Sequence, residues 1–189
     1  MDMKRSLTIF LLMLWIWPVT GPAAANEGPW KLLGDGRHFA MIRHALAPGG
    51  GDPDGFRLDD CSTQRNLNDV GRAQAARIGD LFRAKGIETA ALYSSQWCRC
   101  MQTAEGMKLG PVQELPALNS FFQRPQDREP NMRALRAFLG AAPLTKPTVL
   151  VTHYVTISTL TDTYPSSGEI VFVRRDETGF TVVATEPTD

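Results

Sequence analysis

The sequence has no excess of positive charge. Its 189 residues include 20 lysines and arginines against 20 aspartates and glutamates. Without residues 1–25, the chain would carry 18 basic and 19 acidic residues and a formal charge of −1. Proteins that bind nucleic acids need a basic surface that neutralises phosphates. We therefore expect no nucleic-acid partner.

A hydrophobic run long enough to span a membrane is also lacking. The apolar stretch from Leu7 to Val19 has 13 residues, whereas a transmembrane helix needs about 20. Two basic residues precede this stretch and three alanines follow it, in the order typical of a secretory signal peptide. We predict that residues 1–25 are a signal peptide and that residues 26–189 form one domain, periplasmic or secreted, without a stable membrane span. An uncleaved membrane anchor is the alternative.

Cysteine is scarce as well, with Cys61, Cys98 and Cys100 as the three present. Their spacing does not form a Cys-x-x-Cys pair and no second ligand pair follows, which argues against a redox or zinc site. An exported chain meets an oxidising compartment. We therefore expect one disulfide and one remaining thiol.

The composition is otherwise that of an ordinary globular domain, with 43% hydrophobic and 21% charged residues. Residues 45–63 are rich in glycine, proline and aspartate, a composition that excludes a helix or a central strand. This segment lacks the Lys-Ser/Thr pair of a P-loop. We predict a long loop that covers a site and contributes to substrate choice.

Three apolar runs typical of buried strands each lead into a charged or titratable side chain. The runs are 39–42, 89–93 and 148–152, and the side chains that follow them are Arg43 with His44, Arg99, and His153. Parallel sheets bind ligands beyond the carboxyl ends of their strands, and crossover helices favour parallel neighbours. We therefore expect these side chains to share one anion-binding pocket.

Helices and further strands are predicted around these three runs. The helices are Asn68 or Asp69 to Gly86, Gln96 to about Gly106 with Ser94 and Ser95 as caps, Pro130 to Gly140, and a stretch from His153 to about Thr161. A short strand is expected at 111–115. Two more strands, at 169–174 and 181–184, are expected to form an antiparallel pair.

These blocks resemble the histidine phosphatase superfamily, also called phosphoglycerate mutase-like. Ile42-Arg43-His44 is similar to its Arg-His-Gly signature, Tyr93 to Ala104 to its second arginine block, Val151-Thr152-His153 to its second histidine block, and Leu67 to Ala75 to the segment before its first helix. The chain departs from the family at Ala45 and Tyr154, where glycine is usual. The resemblance implies an α/β fold of three layers, with a mostly parallel central sheet, helices on both faces and a C-terminal antiparallel strand pair.

The resemblance also implies the roles of the site residues. Neutral His44 would attack phosphorus and form a phosphohistidine, while Arg43, Arg99 and a protonated His153 would stabilise the phosphoryl oxygens. Substrate binding is assigned to four residues: Arg43, Arg99, Ser95 and Asp60. No metal or other cofactor is expected, because arginines neutralise the charge that Mg²⁺ neutralises elsewhere. A metal site built on His44 and His153 lacks a carboxylate or thiol motif.

The implied activity is that of a metal-independent, exported phosphatase acting on phosphomonoesters or phosphoramidates. The expected partners are a phosphorylated small molecule, an envelope sugar or a phosphoprotein. A non-catalytic phosphate- or phosphosugar-binding protein with the same pocket is the main alternative, and a mutase is a third possibility.

The cysteine pairing is predicted from the placement of the three residues. Cys98 lies on the helix turn that faces the expected site, and Cys61 lies in the covering loop. Cys100 is rotated by about 200° from Cys98 around the helix. We predict a disulfide between Cys61 and Cys98 and a reduced, buried Cys100.

A proton donor for the leaving group is missing from its usual place. Family members that act on alkyl phosphates usually carry a carboxylic acid two residues after a leucine in this region, whereas here Leu118 is followed by Asn119 and Ser120. The remaining candidates are Glu114, Asp127, Glu129, the loop acids from Asp52 to Asp60, and the substrate itself. We expect the rate to fall steeply as the leaving-group pKa rises.

Overall fold

The computed structural model describes residues 28–189, so the predicted signal peptide lies outside the described residues. The strands are β1 (His38–Arg43), β2 (Ala91–Ser94), β3 (Val112–Glu114), β4 (Thr148–Thr152), β5 (Ile170–Arg175) and β6 (Phe180–Glu186). They form one sheet in the order β3-β2-β4-β1-β5-β6. Strands β3, β2, β4 and β1 are parallel, whereas β5 is antiparallel to both β1 and β6. The predicted mostly parallel sheet and its C-terminal antiparallel pair are confirmed.

Helices cover both faces of this sheet. They are α1 (Gly28–Leu32), α2 (Asp69–Ala84), α3 (Cys98–Met107), α4 (Arg128–Ala141) and α5 (Tyr154–Thr161), with short 3-10 turns at Cys61–Thr63, Pro116–Leu118 and Pro125–Asp127. Successive side chains of a strand point to opposite faces. In β1, Ala40 and Ile42 accordingly pack in the core beside α2 and α3, while Phe39 and Met41 pack beside α4 and α5. This is the three-layer architecture that the resemblance implies.

Glycine lets α2 approach its neighbours closely. A Cβ atom built on Gly79 would lie 2.0 Å from the carbonyl oxygen of Met107, and one built on Gly71 would lie 2.0 Å from that of Leu46. The lack of a side chain at Gly79 lets α2 pack closely against α3. The lack of a side chain at Gly71 lets the loop that follows β1 pack closely against α2.

The strand register brings the three predicted tips to one edge of the sheet. Arg43 is opposite Thr152, and Ser94 is opposite Val151. The hydrogen bonds continue past the strand ends, since the amide of His44 donates to the Thr152 carbonyl over 2.9 Å. The residues that follow β1, β2 and β4 therefore surround a common point.

Two helix boundaries differ from the sequence prediction. Helix α3 begins at Cys98 rather than at Gln96, and its N-cap, Trp97, makes no side-chain capping bond. The predicted cap Ser95 is instead committed to the site described below. Helix α4 begins before Pro130 and contains Gly140 rather than ending there.

The predicted disulfide between Cys61 and Cys98 is present, with a Cα–Cα distance of 5.7 Å. It ties the 3-10 turn of the long loop to the first residue of α3. Cys100 is free and buried, as predicted, and burial raises the pKa of its thiol to about 12. Among residues 28–189, no helix has the length and hydropathy needed to cross a bilayer.

Candidate active site

A cavity of about 290 Å³ opens at the carboxyl edge of β1 and β4. It is lined by Arg43, His44, Gly49, Gly50, Gly51, Asp52, Arg65, Arg99, Ser120, Phe122, Gln123, His153, Tyr154 and Val155. The four side chains predicted to carry the chemistry, Arg43, His44, Arg99 and His153, are thus brought together. The glycines come from the predicted covering loop, which lies over the site.

His44 is held as a neutral imidazole with one nitrogen available. Its Nδ1 lies 2.8 Å from the carbonyl oxygen of Ala45, which can only accept, so Nδ1 carries the proton and Nε2 carries the lone pair. The side chain is buried, and burial followed by the charge of Arg99 lowers its pKa to about 3. An unprotonated Nε2 at neutral pH is the form that a nucleophile requires.

Ala45 replaces the family glycine without backbone strain. The non-glycine residues with positive φ in the described chain are Lys108, Leu144 and Asp162, so Ala45 has an ordinary backbone conformation. It is fully buried, and its amide donates to the Thr103 hydroxyl over 3.0 Å. This departure from the family pattern therefore leaves the position of the neighbouring histidine intact.

Arg99 makes a buried ion pair with Asp52, a residue of the covering loop. Its NH1 and NH2 donate to the two carboxylate oxygens over 2.8 and 3.2 Å, and both side chains are 3% exposed. The indole of Trp97 and the amide of Arg65 donate to the same carboxylate. Burial acts to raise the pKa of Asp52, but these hydrogen bonds and the charge of Arg99 outweigh it and lower that pKa. Asp52 is therefore an ionised group that orients Arg99.

His153 lines the cavity and takes part in a chain of hydrogen bonds. Its Nδ1 faces the NH2 group of Arg99 at 3.4 Å, and its Nε2 lies 2.9 Å from the hydroxyl of Ser95. Ser95 donates in turn to the amide oxygen of Asn119. Since Arg99 can only donate, His153 accepts at Nδ1 and is protonated at Nε2 alone.

The surroundings of His153 do not favour the protonated form expected from the sequence. Burial, followed by the charge of Arg99, lowers the pKa of His153 well below its usual value. The free Cys100 adds no charge here, because its Sγ lies 3.4 Å from Nε2 as a neutral thiol. The positive charge of the cavity thus comes from arginine.

Two of the predicted substrate-binding residues lie away from the cavity. Ser95 is fully buried and contacts His153 rather than the open space. Asp60 caps the 3-10 turn by accepting from Ser62 and pairs with Arg57 on the surface. The structure therefore assigns Ser95 to the support of His153, and Asp60 to the support of the loop.

The candidate proton donors are mostly outside the cavity too. Asp52 is the one carboxylate that lines it within the described chain. Glu114 accepts a hydrogen bond from Gln96 on the surface and does not reach the cavity. Ser120 lines the cavity at the position where the family acid was sought. Because Asp52 is ionised, no lining side chain of the described chain is a carboxylic acid.

Arg65 and Gln123 are site residues that the sequence prediction missed. Arg65 lines the cavity, and its guanidinium donates to the carbonyls of Gly51 and Ala47. The side chain of Gln123 accepts a hydrogen bond from the backbone amide of Asp52 over 2.7 Å and donates one to the backbone carbonyl of Asp52. The sequence signal was weak, because both lie in irregular segments with no periodicity to indicate which way they face.

The charges of the lining residues fit a phosphate group. Three arginines and one carboxylate leave an excess of two positive charges around His44. Arginine forks match phosphate oxygens in charge and geometry. No cluster of three or more metal-ligating side chains occurs within residues 28–189.

Comparisons with known proteins agree with this geometry. Residues 41–122 match the sequence model of the histidine phosphatase superfamily, branch 1. The fold resembles a protein described as the phosphohistidine phosphatase SixA from Agrobacterium tumefaciens, with a TM-score of 0.57 and 17% identity over 82% of this chain and 99% of that one. No curated protein sequence matches the chain significantly.

Two further solved structures share the fold. The protein histidine phosphatase SixA complexed with tungstate has a TM-score of 0.56 and 18% identity over 80% of this chain and 97% of that one. A mycobacterial glucosyl-3-phosphoglycerate phosphatase in complex with VO3 has a TM-score of 0.52 and 13% identity over 77% and 96%. The matched segment includes Arg43, His44 and Arg99, and β4 places His153 beside them, so the chain is similar to the histidine phosphatase superfamily in sequence over residues 41–122 and shares the fold of these solved structures.

Proposed function

We propose that the protein is a phosphatase that works through a phosphohistidine on His44. The observation that carries this proposal is the buried, neutral imidazole of His44, whose free Nε2 opens on a cavity with excess positive charge. A histidine held for structure alone would not need a free nitrogen beside three arginines.

The reaction balances with this chain's own groups. The Nε2 lone pair of His44 attacks phosphorus, and the bond from phosphorus to the leaving group breaks, with the electron pair departing on that group. A water molecule then attacks the phosphohistidine, loses a proton, and releases inorganic phosphate while Nε2 recovers its lone pair. The proton stays on Nδ1, and its hydrogen bond to the Ala45 carbonyl fixes the ring through both steps.

The arginines supply the electrostatic stabilisation in this proposal. Arg43 and Arg65 line the cavity, and neither forms a salt bridge with a carboxylate of residues 28–189. A bound phosphoryl dianion counters the arginine charges that disfavour a protonated His153, so substrate binding favours proton uptake there. Metal independence belongs to the proposal because these side chains already neutralise the phosphoryl charge.

The substrate class follows from the leaving group. The neighbours named above are described as a protein histidine phosphatase and a glucosyl-3-phosphoglycerate phosphatase, so phosphoramidates and phosphomonoesters both remain candidates. With Ser120 where an acid was sought, we propose that the preferred substrates carry leaving groups that depart without protonation by the protein. A phosphorylated small molecule, an envelope sugar or a phosphoprotein could carry such a group.

Export is part of the same proposal. The disulfide between Cys61 and Cys98 supports it, since such bonds persist in oxidising compartments. A periplasmic or secreted enzyme would meet phosphorylated molecules of the envelope or of the medium.

Phosphate release from p-nitrophenyl phosphate tests the activity. We expect His44→Ala to abolish turnover, whereas His38→Gln, at a histidine that does not line the cavity, retains it. Quenching in alkaline denaturant during turnover should leave labelled phosphate on His44. Label on another residue would refute the nucleophile. Phosphate binding without turnover by the wild type would favour the non-catalytic phosphate-binding protein.

A further inference from the structure

Three exposed aromatic residues lie in or beside the cavity wall. Phe122 and Tyr154 line the cavity with 64% and 39% of their surfaces exposed. Tyr164 is 64% exposed, and its ring lies 5.8 Å from that of Tyr154. Single exposed aromatic residues are common, but a group of them beside a ligand site indicates recognition of an apolar group.

One of these rings sits beside the phosphate-binding arginine. The guanidinium carbon of Arg43 lies 5.7 Å from the ring centre of Tyr154. A phosphoryl group bound at Arg43 would therefore place its substituent near this tyrosine.

The cavity is larger than a phosphoryl group requires. Its volume of about 290 Å³ is equivalent to roughly ten molecules of liquid water, so part of it remains for the leaving group. Two of the polar side chains that line the cavity, Gln123 and Asp52, already have hydrogen-bond partners within the protein. Gln123 exchanges two hydrogen bonds with the backbone of Asp52, and the carboxylate of Asp52 is taken by Arg99, Trp97 and the amide of Arg65. A polyhydroxylated group would find few free partners, whereas a ring would find aromatic surface.

We propose that Phe122 and Tyr154 form a subsite for a planar ring attached directly to the phosphoryl group, as in an aryl phosphate or an N-phosphorylated imidazole. The inference rests on the proposed function, and it narrows the substrate class. Aromatic rings bind one another by offset or edge contacts. A ring substituent also suits a cavity whose described lining offers no carboxylic acid, because phenolate and imidazole are better leaving groups than an alkoxide.

Binding of inert phosphonates tests the subsite apart from catalysis. Phenylphosphonate and cyclohexylphosphonate differ in the planarity of the ring, and their C–P bonds do not break, so leaving-group pKa plays no part. Calorimetric titration of the full chain with each compound, and with inorganic phosphate, gives three dissociation constants. We expect phenylphosphonate to bind more tightly than cyclohexylphosphonate by about 2- to 12-fold for each ring contact.

Substitutions then assign the preference to the two rings. Phe122→Leu and Tyr154→Leu should each reduce the ratio of the two phosphonate dissociation constants, and the double variant should bring it close to one. Tyr154→Phe keeps the ring and should keep the ratio. Inorganic phosphate should bind all variants within about twofold of the wild type, since it does not reach the rings.

The outcomes separate this inference from the proposed function. If inorganic phosphate binds but the wild type does not distinguish the phosphonates, the subsite is refuted and the phosphatase proposal stands. A preference that persists in the double variant also refutes the subsite. If neither phosphate nor phosphonate binds, the site does not hold phosphoryl groups and both proposals fail.

Discussion

Arg99 and Arg43 have the same side chain but different surroundings. Arg99 gives both terminal nitrogens of its guanidinium to Asp52, whereas NH1 of Arg43 donates to the carbonyl of Pro165. The charge of Arg99 is therefore balanced within the protein, while that of Arg43 is available to a ligand. Asp52, one of the proton donors predicted from the sequence, instead orients Arg99.

Replacement of Asp52 by asparagine should destabilise the protein. Asp52→Asn keeps the shape of the side chain but leaves the Arg99 charge buried without its counter-ion. Breaking a buried ion pair in this way costs about 3–5 kcal/mol, which urea unfolding would measure. Asp54→Asn, at an exposed acid of the same loop, should be nearly neutral. Equal stability of the two variants would show that the pair is not needed.

Stability should fall as the pH drops below about 6.5. The folded-state pKa values of His44, at about 3, and of His153 lie below the unfolded value near 6.5. Between those limits the unfolded chain binds more protons, so the stabilisation is complete above pH 6.5 and is lost as the pH falls towards 3.

Urea unfolding between pH 7 and pH 4 would measure this loss. His44→Gln removes one of the two titrations and should give a shallower slope over that range. A wild-type stability that stays constant from pH 7 to pH 4.5 would contradict the neutral assignment of both histidines.

The convergence of Arg43, His44, Arg99 and His153 on one cavity could be predicted because each follows an apolar run typical of a buried strand. Asp52 and Arg65 could not be placed in the same way. They lie in a segment without periodicity, and the contact between Asp52 and Arg99 joins residues 47 apart in sequence. Its formation depends on how the loop folds back over the sheet, which local propensity does not determine.

Helices α2 and α3 pack closely against each other at Gly79 and Met107. Gly79→Ala would place a methyl group against the Met107 carbonyl, so we expect a loss of about 1–3 kcal/mol in the free energy of unfolding. Gly140→Ala is the matched control, because no atom of residues 28–189 lies within 4 Å of its added Cβ. It should gain about 0.5–1 kcal/mol from helix propensity. Similar effects of both variants would contradict the packing role of Gly79.

The disulfide fastens the covering loop to α3. It closes a separation of 37 residues in sequence, for which chain entropy gives about 3–4 kcal/mol. The double variant Cys61→Ser/Cys98→Ser should lose this amount in urea unfolding. A reductant should lower the wild type to the same stability and leave the double variant unchanged, and a reductant effect on the variant would point to another cause.

The elements themselves were largely predictable, since strands and amphipathic helices have periodic patterns. The start of α3 at Cys98 was not predictable from such a pattern. Ser95 has the residue type of a helix cap, but its hydroxyl contacts His153 and lies outside the helix. A local signal was overridden by a long-range contact, which the sequence around Ser95 does not contain.

For the whole molecule as an enzyme, we expect the rate to depend steeply on the leaving group. Because no carboxylic acid lines the cavity within residues 28–189, aryl phosphates should react much faster than alkyl phosphates. Ser120→Glu places a carboxyl group at the cavity wall and should raise alkyl phosphate turnover by up to about 10²–10⁴-fold, the usual contribution of general acid catalysis. Ser120→Gln has the same size without the acid and should not. Equal wild-type rates on both substrate types would show that a donor is present.

The order of the strands has a consequence for the way the chain acquires activity. Strand β4 lies between β1 and β2, although it follows both in sequence. Until Thr148–Thr152 is inserted, the segments that carry His44 and Arg99 share no backbone ladder, and His153 is not yet beside them. The strand that joins the two parts of the sheet is thus also the strand that brings His153 to the pocket. Under the proposed function, we expect no hydrolysis from a chain in which β4 is not paired.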